Sequence, residues 1–248
     1  MQETRWVPVR VTNWEIAREN GQVFEWPAVK RLVVVSPHPD DETLGCGGLI
    51  ALAVERGLEV LVVSVTNGEA GGDQQDARAL SAIRIRELDR ALASLGESGE
   101  VAVQRLGLPD GQVEHHEPML KRVLVACLRA SDLVCCPMID DWHSDHEATA
   151  RATTAAARHV GSVIRWFPIW GWVHGSAAAR LPSRVELVSL NQLAHRRKLR
   201  ALRCFESQLL GPNPVLSDDL LEMFRGPVEV LLRPDFDVFD QRGIVEER

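Results

Sequence analysis

Residues 38–42 read His38-Pro39-Asp40-Asp41-Glu42, one imidazole and three carboxylates in five positions. Like charges this close repel and raise one another's pKa, so the group is costly to hold together unless a cation neutralises it. Imidazole nitrogen and carboxylate oxygen suit Zn²⁺, which binds them at about 2.0–2.2 Å. His38 and Asp41 stand three apart on a turn that Pro39 restricts, so both side chains can reach one ion. Asp40 is then left beside the metal as a candidate base. A second reading of the same residues is an acidic helix start, in which Asp40, Asp41 and Glu42 complement the helix dipole.

A second cluster, Asp140-Asp141-Trp142-His143-Ser144-Asp145-His146, shifts the balance towards the metal. His38 and Asp41 from the first loop with one histidine from the second make three protein ligands. That leaves a fourth position for water, the pattern of a catalytic rather than a structural zinc. His146 is preferred as the third ligand because it begins the following helix, and His143 projects nearby. The competing reading makes both histidines surface residues that cap a helix. Two histidines and an aspartate also accept Fe²⁺ or Mn²⁺.

The elements that must position these clusters follow from apolar periodicity. Residues 32–35 form a buried strand, and a helix starting at Thr43 or Leu44 runs to Arg56-Gly57. Further strands are expected at 58–66, 101–106 and 133–138, and helices at Ala77–Leu95, 118–129 and 147–159. Strands alternating with helices imply an α/β fold, a Rossmann-like, mostly parallel sheet flanked by helices with right-handed crossovers. Ligands of such sheets sit outside the carboxyl ends of the strands. The polar loops 36–43, 67–73, 107–111 and 139–146 then share one rim, and the metal site lies at the C-terminal ends of the strands. Residues 1–29 read as a polar lead-in packing on the main body, with a short helix around residues 14–19. Trp166, Phe167, Trp170, Trp172 and His174 crowd the span 162–184, either as a wall of a sugar pocket or as the core of a C-terminal strand pair.

Bulk properties exclude several classes. A net charge of −7 over 248 residues argues against a surface that binds nucleic-acid phosphates. Arg196-Arg197-Lys198 reads as the solvated face of a helix. No apolar run of about 18 residues offers a transmembrane segment, and no signal-peptide core opens the chain. Five cysteines without metal-type CxxC spacing fit a reducing cytoplasm. Cys46, close to the first cluster, reads as a small residue in a tight turn, with a ligand role as the alternative. A nucleotide-binding module is disfavoured because the first strand-to-helix turn carries acids and no GxGxxG.

The pairing of SPHPDDETLGCGG with a later HSDH resembles the PIG-L/LmbE-like zinc de-N-acetylases. The resemblance covers residues 30–224. It extends to Thr66-Asn67-Gly68-Glu69, Arg84 with Glu87, Leu95-Gly96, Leu108-Pro109-Asp110-Gly111, and Lys198 followed by Ser207-Gln208. It implies a single deacetylase domain over 30–248, whose 162–248 part shapes the substrate pocket. It implies that His38, Asp41 and His146 bind one zinc and that Asp40 is the general base. By the same resemblance His143 polarises the substrate carbonyl or stabilises the oxyanion, Asp145 holds a histidine in orientation, and Arg84 contacts the sugar. Ser144 replaces the usual proline between the histidines, and Phe205 stands where many members carry histidine or tyrosine. The implied activity is removal of an acyl group, expected to be acetyl, from an N-acylated amino sugar or its conjugate. An acylated antibiotic, a lipid-linked sugar intermediate and a non-catalytic metal-binding role are the rivals. The expected partner is that small molecule, with a homo-oligomer left open.

Overall fold

Uninterrupted branched aliphatic runs form the centre of the sheet. In the computed structural model, which describes residues 21–71, 76–97, 99–173, 183–212 and 214–236, they become strands buried on both faces. The strands are β1 (Gln22–Val23), β2 (Arg31–Ser36), β3 (Glu59–Thr66), β4 (Val101–Leu108), β5 (Asp132–Pro137), β6 (Val163–Phe167), β7 (Ser183–Ser189) and β8 (Val228–Pro234). The helices are α1 (Asp41–Glu55), α2 (Ala77–Leu95), α3 (Glu117–Cys127), α4 (Ser144–Val160), α5 (Trp170–Val173), α6 (Gln192–Leu202), α7 (Glu206–Leu209) and α8 (Asp218–Glu222). The eight strands form one mixed sheet in the order β1-β7-β8-β6-β5-β2-β3-β4, with β8 antiparallel to both neighbours. All the other pairings are parallel.

From β2 the chain proceeds to β3 and β4 on one side, then returns to β5 and β6 on the other. The strand order therefore reverses between β2 and β5, and the crevice outside their carboxyl ends is where such sheets bind ligands. α1, α2 and α6 pack on one another, while α3 and α4 pack together as a second group.

Several local features depart from the sequence reading. α1 begins at Asp41, earlier than Thr43, and is buried along most of its length, so it has no solvated face to give it a strong periodicity. Its glycines answer to close neighbours: a Cβ on Gly45 would lie 2.3 Å from the Phe167 ring, and one on Gly48 2.3 Å from Leu190. Cys46 lies within this helix, not in a tight turn, and is fully buried. β4 continues to Leu108, and α3 starts at Glu117 after a 3-10 turn at Val113–His116. α4 starts at Ser144 because the His143 ring accepts the Asp145 N–H at 3.2 Å and so caps it, which puts His146 inside the first turn.

Lys198 is the clearest correction on the basic run, being 1% exposed where a solvated face was expected. Its ammonium donates to Glu229 at 2.6 Å and to the Leu44 carbonyl at 2.8 Å. Glu229 in turn accepts the Gly48 and Leu49 amides at 2.6 and 2.8 Å. Of the span 162–184, read either as a pocket wall or as the core of a C-terminal strand pair, the described residues form β6, which joins the sheet beside β5, and then α5, whose Trp170 lines a pocket. Trp166, Phe167 and Trp172 are buried there. The expected helix near residues 14–19 and His174 lie outside the described residues. Residues 21–29 add the short edge strand β1 and the edge-to-face pair Phe24 and Trp26.

Candidate active site

β2 ends at Ser36, and the turn that follows is closed by Glu42, whose carboxylate accepts the Asp40 N–H at 3.1 Å and lies 3.2 Å from Ser36 Oγ. The closure forces Asp40 to φ 135°, a region that side chains other than glycine rarely adopt. Such strain costs of order 1–3 kcal/mol and persists only where surrounding contacts over-determine it. Arg84 supplies those contacts. From α2 it donates to Asp40 Oδ2 at 3.0 Å, to the Pro39 carbonyl at 2.8 Å and to the Gly68 carbonyl at 3.0 Å. Arg84 and Asp40 are both buried.

On the other side of this turn three donor atoms converge. His38 Nδ1 and Asp41 Oδ2 are 3.2 Å apart, His146 Nε2 and Asp41 Oδ2 3.2 Å, and His146 Nε2 and His38 Nδ1 3.3 Å. Three corners of a tetrahedron with bonds of about 2.0–2.1 Å are separated by roughly 3.3–3.4 Å, so this triangle has the size a zinc-like ion needs. His38, Asp41 and His146 are thus a group that could hold a metal ion. His38, His143 and Asp145 form a second such group, but the Asp145 carboxylate there already accepts the Gly111 and Val113 amides at 2.7 and 3.0 Å.

The far nitrogens of the two histidines in this triangle each meet carboxylate. His146 Nδ1 lies 2.6 Å from Asp141 Oδ2, and Asp141 Oδ1 accepts the Ile169 and Gly171 amides. His38 Nε2 lies 3.1 Å from Asp110 and 3.2 Å from Asp145. A carboxylate on one ring nitrogen fixes the tautomer and leaves the other lone pair for a metal. His143 is arranged differently. Its Nδ1 accepts a backbone amide, so in the neutral ring Nε2 carries the hydrogen and is a donor.

Charge within the site follows from this packing. Burial pushes Asp40 up, Arg84 opposes it, and Asp41 and Glu42 push it further, to about 8. Burial also acts to raise Asp41, but the two histidines more than reverse that and hold it well below the carboxylate range. Burial would lower His146, yet Asp41 and Asp141 lift it to about 9. Asp110, despite its burial, is drawn down to about 2 by His38. His143 is lowered by burial and by the two neighbouring imidazoles, which favours its neutral form.

One pocket lies over these groups, lined among others by His38, Asp40, Asp41, Arg84, Asp110, His143, Trp170 and Gln208. All seven residues singled out for chemistry therefore lie at or beside one rim. Asp145 meets His38 through its side chain and His143 only through its backbone N–H. Arg84 grips the Asp40 turn. Beside these seven, Asp110 meets His38, Asp141 meets His146 and Glu42 closes the Asp40 turn. Asp110 was within reach of sequence reasoning, since its turn follows a strand on the predicted rim. Nothing in the adjacent acids 140 and 141 tells which one turns inward. Phe205 is fully buried, away from the pocket lining, and Ser144 is exposed at the first residue of α4.

A family model for PIG-L, described as GlcNAc-PI de-N-acetylase, matches residues 33–157. A 1D-myo-inositol 2-acetamido-2-deoxy-alpha-D-glucopyranoside deacetylase of Mycobacterium sp. (strain KMS) is 36% identical over 164 residues, 53% of this chain and 51% of the relative. The chain spans about half the length of the curated relatives it matches over their longer alignments. Among solved structures, a deacetylase in the biosynthesis pathway of teicoplanin superposes with a TM-score of 0.64 at 19% identity, covering 82% of this chain and 96% of that one. N,N'-diacetylchitobiose deacetylase from Pyrococcus horikoshii gives 0.57 at 23% identity, with 78% and 73% covered. At these identities the structures show a shared α/β fold.

Proposed function

Because this chain belongs to the PIG-L, GlcNAc-PI de-N-acetylase, family, we propose that it is a metal-dependent amidohydrolase that removes the acetyl group from an N-acetylated amino sugar or its conjugate. The observation that carries this reading is the triangle of His38, Asp41 and His146 donors with Asp40 clamped beside it. The name of the mycobacterial relative supports an N-acetylglucosaminide as substrate class. Zn²⁺ is the proposed ion, one per chain, from the two imidazoles and one carboxylate. Trp170, Gln208 and Leu216 in the pocket lining support a role for residues 162–248 in shaping it. Free cysteines at 46, 127, 135, 136 and 204 support a cytoplasmic location, and among the described residues no helix is long and apolar enough to cross a membrane.

A zinc ion held by these three ligands would polarise the acyl carbonyl and make water nucleophilic near neutral pH. The remaining steps belong to the chain. Arg84 occupies Asp40 Oδ2, so Oδ1 is the oxygen that takes the water proton as the water oxygen bonds to the acyl carbon. His143 Nε2–H donates to the oxyanion that develops. Asp40 then returns its proton to the amide nitrogen as the carbon–nitrogen bond breaks, giving acetate and a free amine. Asp145 and Asp110 hold the His38 ring throughout, and Arg84 offers its unpartnered Nε–H to the sugar.

The test is acetate release from a panel of N-acetylglucosaminides by metal-loaded protein, with Asp40→Asn alongside and metal content assayed in both. Loss of about 10²–10⁴-fold in rate with about one metal retained is the expected result. Release that is undiminished in Asp40→Asn would remove Asp40 from the reaction. Failure of both proteins to hold metal would remove the metal site.

A further inference from the structure

Gln208 is completely buried in the wall of the pocket, and its side-chain oxygen has no hydrogen-bond partner. Which end of its amide is the oxygen follows from a chain of donors. Glu87, on α2 one turn after Arg84, accepts the Ser207 N–H on Oε1 and lies 2.7 Å from Ser207 Oγ through Oε2. The Ser207 hydroxyl donates to Glu87 Oε2, so its single hydrogen is used there. Ser207 Oγ can then only accept from Gln208, whose amide nitrogen lies 3.0 Å away. The opposite end of Gln208 is therefore locked as a carbonyl. Its backbone is equally fixed, by Gln208 N–H to the Phe205 carbonyl and Leu216 N–H to the Gln208 carbonyl.

The same place holds a second orphan, the Nε–H of Arg84. The two side chains meet across Gly71, where a Cβ would lie 2.6 Å from Arg84 Nη1 and 3.4 Å from Gln208 Oε1. A buried acceptor without a partner is rare in folded proteins and asks for one.

We propose that Gln208 is a specificity-determining residue whose side-chain carbonyl accepts a hydrogen bond from a hydroxyl of the bound sugar, beside Arg84. One hydroxyl can serve both groups, accepting from Arg84 and donating to Gln208, which a ketone, ether or deoxy position cannot do. Glu87 and Ser207 act through Gln208 as positioning residues. This rests on the amino-sugar reading of the pocket.

The experiment measures calorimetric binding of methyl N-acetylglucosaminide and its 3-, 4- and 6-deoxy analogues to metal-loaded wild type, Gln208→Met and Ser207→Ala, with acetate release followed on the same samples. Gln208→Met keeps the volume and removes the acceptor. It is expected to weaken the parent sugar about tenfold, raising KM and leaving kcat nearly unchanged. One deoxy analogue should bind wild type and Gln208→Met equally. Ser207→Ala, which frees the amide to rotate, should lose less than Gln208→Met against the same analogues. Equal losses against every analogue, or no loss against any, would overturn the assignment. So would a wild type that binds none of these sugars. Binding with the expected pattern but without acetate release leaves Gln208 in place and rejects the hydrolase reading instead.

Discussion

Asp141 does not line the pocket, yet its carboxylate faces His146 and so bears on the basicity of that imidazole and on the grip it would have on the proposed ion. Its Oδ2 faces His146 while its Oδ1 takes two backbone amides near α5, so the carboxylate cannot turn away. Removing such a partner commonly costs 10–100-fold in metal affinity, and Asp141→Asn is expected to fall in about that range in a competition assay against a chelating dye. Unchanged affinity would mean that the imidazole needs no partner. His146 also predicts a pH dependence. In the metal-free protein its imidazole is raised to about 9, so its contribution to folding is complete below about 6.5 and is lost as pH rises through 9. A ligand imidazole must be neutral, so an incoming ion displaces that proton. His38, despite the burial that lowers it, is also raised well above its ordinary value by Asp110, Asp145 and Asp41, so an ion displaces a proton there too, and metal affinity is expected to strengthen by between about ten- and a hundredfold per pH unit below 9. Titration at several pH values that gave a flat profile would remove His146 as a proton-bearing ligand.

At the scale of elements, α1 is the piece on which the site depends, because its first residue is Asp41 and the residue before it is Asp40. The helix is nearly all buried, and its middle is tied to β8 and α6 by Glu229 and Lys198. Breaking a buried ion pair from one side strands the other charge, at about 3–5 kcal/mol. Lys198→Met is expected to lose that much in urea unfolding, since Glu229 would keep its two amides but no cation. A loss below about 1 kcal/mol, the range of exposed pairs, would show that Glu229 is neutralised some other way. α2 serves the site twice on one face, with Arg84 on the Asp40 turn and Glu87 on Ser207.

The whole molecule places four loops at the crevice between β2 and β5. They come from chain segments as much as 108 residues apart, as the contact of His38 with His146 illustrates. The proposed ion, bridging two of those loops, would bind the folded state and has no preformed site in the unfolded chain. It should therefore stabilise the fold by mass action, about 2.7 kcal/mol when free metal is a hundred times its dissociation constant. For a domain of this size that corresponds to roughly 5–10 °C in melting temperature. Treatment with a chelator is expected to lower the melting temperature by that amount, and re-addition of Zn²⁺ to restore it. No shift in either direction would mean that the loops are held together without an ion.

The α/β alternation and the shared rim could be read from the chain itself, because buried parallel strands need uninterrupted apolar runs and crossover helices need amphipathic ones. The two acid-and-histidine clusters were equally plain, since charges packed this densely at a strand end are conspicuous in one dimension. Which acids turn inward was decided only in three dimensions. Asp40 and Asp41 part ways because Glu42 closes the turn and strains Asp40, and Asp141 faces His146 because the amides before and within α5 wait for it. Lys198 shows the same limit. In sequence it continues a basic run, and only the packing of α6 against α1, with Glu229 arriving from a strand 31 residues later, makes it a buried cation.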